Sequence, residues 1–200
     1  MKVLNDWINE EKTSGRKVFK EKPFNHVFIT DFLIESRTKT LFNALKNERF
    51  EKKDSDLFSF SQTKDLIYST NKVIKSFIGM LNSEDFTCFA KKLIGINVKR
   101  RAIDVSGSLY KSTGYLLCHD DRLENRKIAF VFYFSDMQKK DGGAFCLFNT
   151  DNKGKPKEIV KRYFPKWNGF LIFKVSGKSF HSVEEVLSNK KRYAIGGWLR

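Results

Sequence analysis

The stretch YLLCHDDRLENRKIAFVFYF, residues 115–134, sets three metal-competent side chains, His119, Asp120 and Asp121, between two apolar runs. On a strand or at its end, residues two apart share a face, so His119 and Asp121 point one way and Asp120 the other. Burying an imidazole and a carboxylate in an apolar sheet is costly unless something pairs them, and a divalent metal would do so. A third ligand is then needed. The chain has three histidines, and one of them, His181, lies in a second strand-like run, KVSGKSFHSVEEV, sixty-two residues after His119. Two histidines and one carboxylate on one face of a metal are the ligand set of non-haem Fe(II) oxygenases, with positions left open for cosubstrate and oxygen. Zinc hydrolysis can use the same donors, but no HExxH or equivalent helical motif is present. An HxD pair alone is common, and a solvated turn accounts for HDDR equally well.

Arg192 adds weight to the metal reading. It lies eleven positions after His181, in KKRYAIGGWLR on the last strand-like run. A buried Arg aimed into a barrel needs an anion, and a dicarboxylate such as 2-oxoglutarate offers a planar carboxylate to the guanidinium fork. Taken alone, Arg192 reads as a surface cation in a KKR run. Gly177-Lys178-Ser179 looks like the end of a phosphate loop, but Ile172 stands where the first glycine belongs and no helix follows.

The elements that must position these side chains fall into two blocks. Residues 1–22 are polar and rich in Lys and Glu, a loose or weakly helical segment. Residues 25–33 read as a strand turning into a helix. Helical spacing follows over 35–50, 71–83 and 83–95, so 35–95 is expected to be mainly helical, with 56–66 short and mixed. The last of these helices opens at Ser83 and closes at Gly95. From about residue 97 the chain changes to eight short β-rich runs separated by turns such as KKDGGA and TDNKGKP. This pattern predicts an α+β chain: a double-sheet jelly roll over 97–200, covered on one sheet by the preceding helices, in one domain from 23 to 200.

Bulk properties narrow the function classes. Forty percent apolar residues and twenty phenylalanines supply a real core. The longest clean apolar run, Ile128 to Phe134, is far short of the roughly 20 residues a membrane span needs. The N-terminus lacks a secretory apolar core, so an intracellular, soluble protein is expected. The three cysteines, Cys88, Cys118 and Cys146, form no CxxC and suit a reducing compartment, with Cys118 expected as a buried thiol facing away from His119. The net charge of +15 is compatible with nucleic-acid contact through a basic surface, although Lys is scattered along the whole chain.

The stretch quoted first, with PFNHVFITDFL, DLFSFSQTKDL, GGAFCLF, FPKWNGFLIFKVS and SFHSVEEVLSNKKRYAIGGW, resembles the 2-oxoglutarate- and Fe(II)-dependent prolyl hydroxylases that modify a small-subunit ribosomal protein in eukaryotes. The matches run in order over roughly residues 23–198. The resemblance is to their N-terminal catalytic domain. It implies a double-stranded β-helix core, with Fe(II) held by His119, Asp121 and His181. It implies that Arg192 pairs with the distal carboxylate of 2-oxoglutarate, helped by the hydroxyls of Tyr110 and Tyr133, with Trp198 near the pocket wall. Without it, both tyrosines read as packed strand aromatics. It also implies a prolyl residue of a protein, perhaps ribosomal, as substrate, ascorbate as a reductant, and a cytoplasmic location, or a nuclear one in a eukaryote. The segment 91–101 and the loop 111–114 are expected to line the substrate's approach. Two departures stand out: the relatives carry a second β-domain, and Ala194 replaces a hydroxyl residue that the family often has two positions after the Arg. The rival readings are an oxygenase of alkylated nucleic-acid bases and a non-catalytic jelly-roll binding module.

Overall fold

The computed structural model describes residues 4, 6–9, 11, 20–96, 103–123 and 125–200. From residue 20 on, the described residues form three α-helices ahead of the main β block: α1 (Glu35–Lys46), α2 (Lys72–Leu81) and α3 (Glu84–Ile94). Their ends follow local chemistry. The Asn71 side chain accepts from Val73 N at 2.9 Å to start α2, and Ser83 Oγ accepts from Phe86 N at 3.1 Å to start α3. Gly95, at φ 69°, closes α3 in the left-handed conformation that glycine adopts without strain.

Eleven strands form one continuous antiparallel sheet: β1 (His26–Ile29), β2 (Phe50–Ser55), β3 (Phe58–Thr63), β4 (Ile103–Tyr110), β5 (Tyr115–His119), β6 (Ile128–Tyr133), β7 (Phe145–Thr150), β8 (Pro156–Tyr163), β9 (Gly169–Lys174), β10 (His181–Val183) and β11 (Arg192–Leu199). The spatial order is β1-β9-β6-β11-β4-β3-β5-β10-β7-β8, with β2 paired to β3. The sheet curls into a nearly closed jelly roll. Each of the eight runs expected after residue 97 is a strand.

Two layers of apolar side chains explain why IAFVFYF is apolar without alternation. Ile128, Phe130 and Phe132 of β6 pack in the cluster that holds the helices, and Ala129 and Tyr133 pack in a second cluster inside the barrel. β9 does the same, with Phe170 and Ile172 on the helix side and Leu171 and Phe173 inside. A strand covered on both faces has no need of polar residues. On the helix side α1 presses close: a Cβ on Gly107 of β4 would lie 2.6 Å from Leu45 Cδ1.

Three expectations need correction. Residues 50–63, inside the stretch read as helical, form the β2–β3 hairpin, because Phe58 and Phe60 alternate with serines at the period of two that fits a pleated surface. Trp7 and Ile8, in the segment read as polar and loose, are buried in the core, with the Trp7 ring 5.1 Å from that of Phe77. Asp121 does not lie on a strand with His119, since β5 ends at His119. Among the described residues, no helix is long and apolar enough to cross a membrane.

Candidate metal centre and cosubstrate pocket

The register of β5 against β10 sets His119 directly opposite His181. The chain then leaves β5, and Asp121 takes a left-handed turn at φ 62°, a conformation that Asp tolerates better than most residues. That turn, and not strand alternation, swings its carboxylate between the two imidazoles. Asp121 Oδ1 lies 3.5 Å from His119 Nε2, and Oδ2 lies 3.3 Å from His181 Nε2. The donor atoms of all three residues fall within 4.8 Å of one another.

The turn is held from outside. The Asp120 carboxylate accepts from Arg122 N at 3.1 Å and Arg122 Nε at 2.7 Å. Ser179 Oγ lies 3.0 Å from the Asp120 carbonyl oxygen. The Gly177-Lys178-Ser179 turn is therefore a brace for the HDD loop.

Both imidazoles have their tautomers set by backbone. His119 Nδ1 donates to the Leu117 carbonyl at 2.9 Å, and His181 Nδ1 donates to the Ser179 carbonyl at 2.8 Å. Each Nε2 then carries a lone pair and faces a carboxylate that can only accept. Three acceptors converging on one point need a cation between them, a proton or a metal, so the donor set fits a divalent ion. With a proton as that cation, Nε2 donates to Asp121: burial pushes the Asp121 carboxyl up, but hydrogen bonds from the protonated imidazoles overcome this and hold it well below the usual carboxylate range. Burial lowers the His181 pKa, reinforced by the charge on His119. At His119 burial acts the same way, but the Asp121 carboxylate overcomes it and the pKa is raised. Phe145 stacks on the His181 ring at 5.0 Å and Phe173 meets its edge at 4.8 Å, which fixes the ring plane.

A cavity of about 120 Å³ opens from this centre into the barrel, lined among others by His119, Asp121, His181, Tyr110, Ser108 and Arg192. Arg192 opens β11 opposite Tyr110 of β4 and is only 2% exposed. Its Nε donates to the Gly143 carbonyl at 2.8 Å. The guanidinium carbon lies 4.9 Å from the Tyr110 ring centroid and 5.2 Å from that of Tyr133. Among the described residues, no carboxylate pairs with Arg192. Burial pushes the Tyr110 phenol up to about 12 against the pull of Arg192, and raises that of Tyr133 further. Both stay protonated donors at neutral pH. Tyr133 Oη is buried without a hydrogen-bond partner of good geometry. A buried cation beside an unsatisfied phenol fits an anionic ligand such as the distal carboxylate of 2-oxoglutarate.

Ala194 lies directly across from Ser108, so a hydroxyl reaches this region from the neighbouring strand. Trp198 lines the cavity as expected, and the Arg126 guanidinium lies 3.7 Å from its ring centroid. Arg126 Nη1 is also 3.8 Å from Asp121 Oδ1. The sequence reading gave Arg126 no place in the centre; its signal was a cation five residues after Asp121. Gly143 was read only as part of a turn. Its φ of 68° and its carbonyl bond to Arg192 make the KKDGGA turn part of the pocket.

His26 stays apart from the centre, its Nδ1 donating to the Phe24 carbonyl at 2.7 Å and its Nε2 accepting from Tyr163 Oη at 2.9 Å. Cys118 faces away from His119, but that face is solvent and the thiol is exposed, not buried. Part of the expected approach segment, residues 97–101, lies outside the described residues. The loop 111–114 is described, but none of its residues lines the cavity.

Comparison with known proteins agrees with this geometry. The chain is similar to Prolyl 3-hydroxylase OGFOD1 of Xenopus laevis, 36% identical over 193 residues that cover 95% of this chain and 37% of the relative. It is similarly related to Prolyl 3-hydroxylase OGFOD1 of Mus musculus, 40% identical over 179 residues, covering 88% of this chain and 32% of the relative. It thus spans about a third of the length of these relatives. A Pseudomonas putida prolyl-4-hydroxylase crystal structure shares the fold, with a TM-score of 0.70, 15% identity, and coverage of 88% of this chain and 91% of that one. Residues 105–200 match the model of the 2OG-Fe(II) oxygenase superfamily.

Proposed function

We propose that this chain is an Fe(II)- and 2-oxoglutarate-dependent dioxygenase that hydroxylates a prolyl residue of a protein, with a ribosomal protein as the first substrate to test. The observation that carries the reading is a buried, carboxylate-free Arg192 in the same cavity as a His-Asp-His cluster. His119, Asp121 and His181 hold the iron, and Arg192, Tyr110 and Tyr133 hold the distal carboxylate of 2-oxoglutarate. When bound, the iron and its cosubstrate supply oxidation of a substrate C–H bond by O2, with 2-oxoglutarate leaving as succinate and carbon dioxide.

The protein's part is placement and charge. Asp121 stays ionised, so the centre offers one negative charge and two neutral nitrogens to the metal. The Leu117 and Ser179 carbonyls hold the proton of each neutral ring on Nδ1, so Nε2 is the atom offered to the metal. Arg192, anchored on Gly143 and stacked between two phenols, gives the cosubstrate one orientation. Leu116, Phe145, Phe173 and Val183 line the remaining wall and keep bulk water from the reacting carbon. The names of the Xenopus and mouse relatives support the prolyl target. Ascorbate is the reductant to include, a cytoplasmic or nuclear location suits the reading, and the +15 charge supports contact with nucleic acid.

The test is mass spectrometry of ribosomes and of a proline-containing peptide from the small-subunit protein, after incubation with Fe(II), 2-oxoglutarate and ascorbate. The expected result is a cosubstrate-dependent gain of one oxygen on proline. Succinate release without that gain keeps the oxygenase and moves the search to other proteins or to nucleic-acid bases. Neither gain nor succinate leaves a binding module.

A further inference from the structure

Four of the lysines scattered along the sequence meet at one place in the fold. A groove of about 550 Å³ lies outside the barrel, away from the iron cavity, and Lys20, Lys22, Lys161 and Lys178 line it together with Asn149 and Thr150. These residues come from four separate parts of the chain. The Lys20 backbone bridges to that of His26 at 2.9 and 3.1 Å and sets one wall. Lys161 comes from β8, the exposed edge of the sheet, and Lys178 from the turn that braces the HDD loop.

The charge here is uncompensated. Elsewhere many surface cations are matched: Lys52 to Asp54, Arg122 to Asp120, Arg162 to Glu184, Lys190 to Asp141. Among the described residues, none of the four groove lysines pairs with a carboxylate, and no acidic residue lines the groove. Lys157, exposed four residues earlier on β8, continues the run of cations along this edge strand. A single phosphate would not use that length. The apolar lining is limited to Pro23 and Val160, too little to anchor a folded protein partner, so binding here must come mainly from charge and from the amide and hydroxyl donors.

We infer that this groove binds the phosphate backbone of single-stranded RNA, which gives the nucleic-acid contact proposed above a place and rests on that reading. Lysines as mobile point charges, with Thr150 as a neutral donor beside an Asn149 amide held by Glu158, suit a backbone contact that reads no sequence. Because Lys178 sits on the turn that holds Asp120, RNA bound in the groove lies beside the loop that carries Asp121.

The experiment is fluorescence anisotropy of the whole chain, without added metal, against a labelled mixed-sequence single-stranded RNA 20-mer across a salt series. Two triple variants are compared. One removes groove lysines (Lys22→Ala, Lys161→Ala, Lys178→Ala). The other removes exposed helix lysines (Lys72→Ala, Lys75→Ala, Lys92→Ala) for the same change in net charge. The groove variant is expected to bind about tenfold or more weakly, with the salt slope reduced by about 0.7 for each lysine lost, and the helix variant to keep the wild-type slope. Equal losses in both variants overturn the groove in favour of diffuse charge. Equally tight competition by polyglutamate or by phosphatidylserine vesicles overturns RNA as the occupant. No binding by the wild type overturns the contact itself, while leaving proline hydroxylation to its own test.

Discussion

The two halves of the barrel are built to different standards. The half made of β1, β9, β6, β11 and β4 carries the helices, and strands β6 and β9 are buried almost throughout. Among the described residues, the half made of β5, β10, β7 and β8 has no helical cover, β5 and β8 are largely open, and only β10 and the start of β7 are buried. The proposed iron ligands sit at strand ends and in a turn of the open half. Arg192, Tyr110 and Tyr133 sit on the covered half. The lesson is a division of labour. A buried cation and two phenols need a rigid, dry wall to hold them, whereas a centre that must admit oxygen and substrate belongs near an opening.

Four tests would break or sharpen this contrast, from the largest effect to the smallest. Asp121→Ala should abolish turnover and metal binding, a larger loss than the roughly 100-fold that removal of an outer partner of a metal ligand costs. Circular dichroism should show the fold intact, because the turn lies in the open half. Full activity in Asp121→Ala or His181→Ala would mean the ligand set is wrong. Phe132→Ala, in the covered half, should cost about 3–5 kcal/mol in chemical denaturation, against about 0.5 or less for Val160→Ala on β8. Similar costs would erase the distinction between the halves.

Arg192→Met should raise the 2-oxoglutarate requirement about 10- to 100-fold, since one or two charge-assisted hydrogen bonds are lost. Its thermal stability should equal or exceed that of the wild type, because a buried unpaired cation is replaced by an apolar chain of similar length. An unchanged cosubstrate requirement would remove Arg192 from the clamp. The smallest effect concerns pH. Burial holds the His26 pKa below 6.5 against the pull of the Phe24 carbonyl. The folded state then binds fewer protons than the unfolded one, so the contribution of neutral His26 is complete above about pH 6.5 and is lost as pH falls toward its folded pKa. Denaturation at pH 7.5 and 5.5 should show a smaller drop in His26→Gln than in the wild type, and identical drops would disprove the linkage.

Much of this was legible in the residues. Period-two runs and turn residues reported all eight later strands, and Ser83 and Gly95 reported the ends of α3. The meeting of His119 and His181 at one centre and the burial of Arg192 were also expected, though not the strand register that sets the two rings opposite each other. What sequence could not show are features made by the chain meeting itself. The β2–β3 hairpin stays in place by pairing with β4 and β5. Asp121 reaches the centre through a left-handed turn that an HxD spacing does not encode. Gly143 is tied to Arg192 across forty-nine residues, and four lysines distant in sequence share one groove.

The pairing of His119 opposite His181 has a thermodynamic consequence. A slip of one residue between β5 and β10 would turn one imidazole out of the barrel. Any divalent ion that takes the centre therefore binds the correctly paired chain and not its misregistered forms. At a concentration one hundred times its dissociation constant, such an ion adds about 2.7 kcal/mol to the stability of the native pairing. The ion that serves the chemistry would then also act as a clasp, closing the less protected half of the barrel from within.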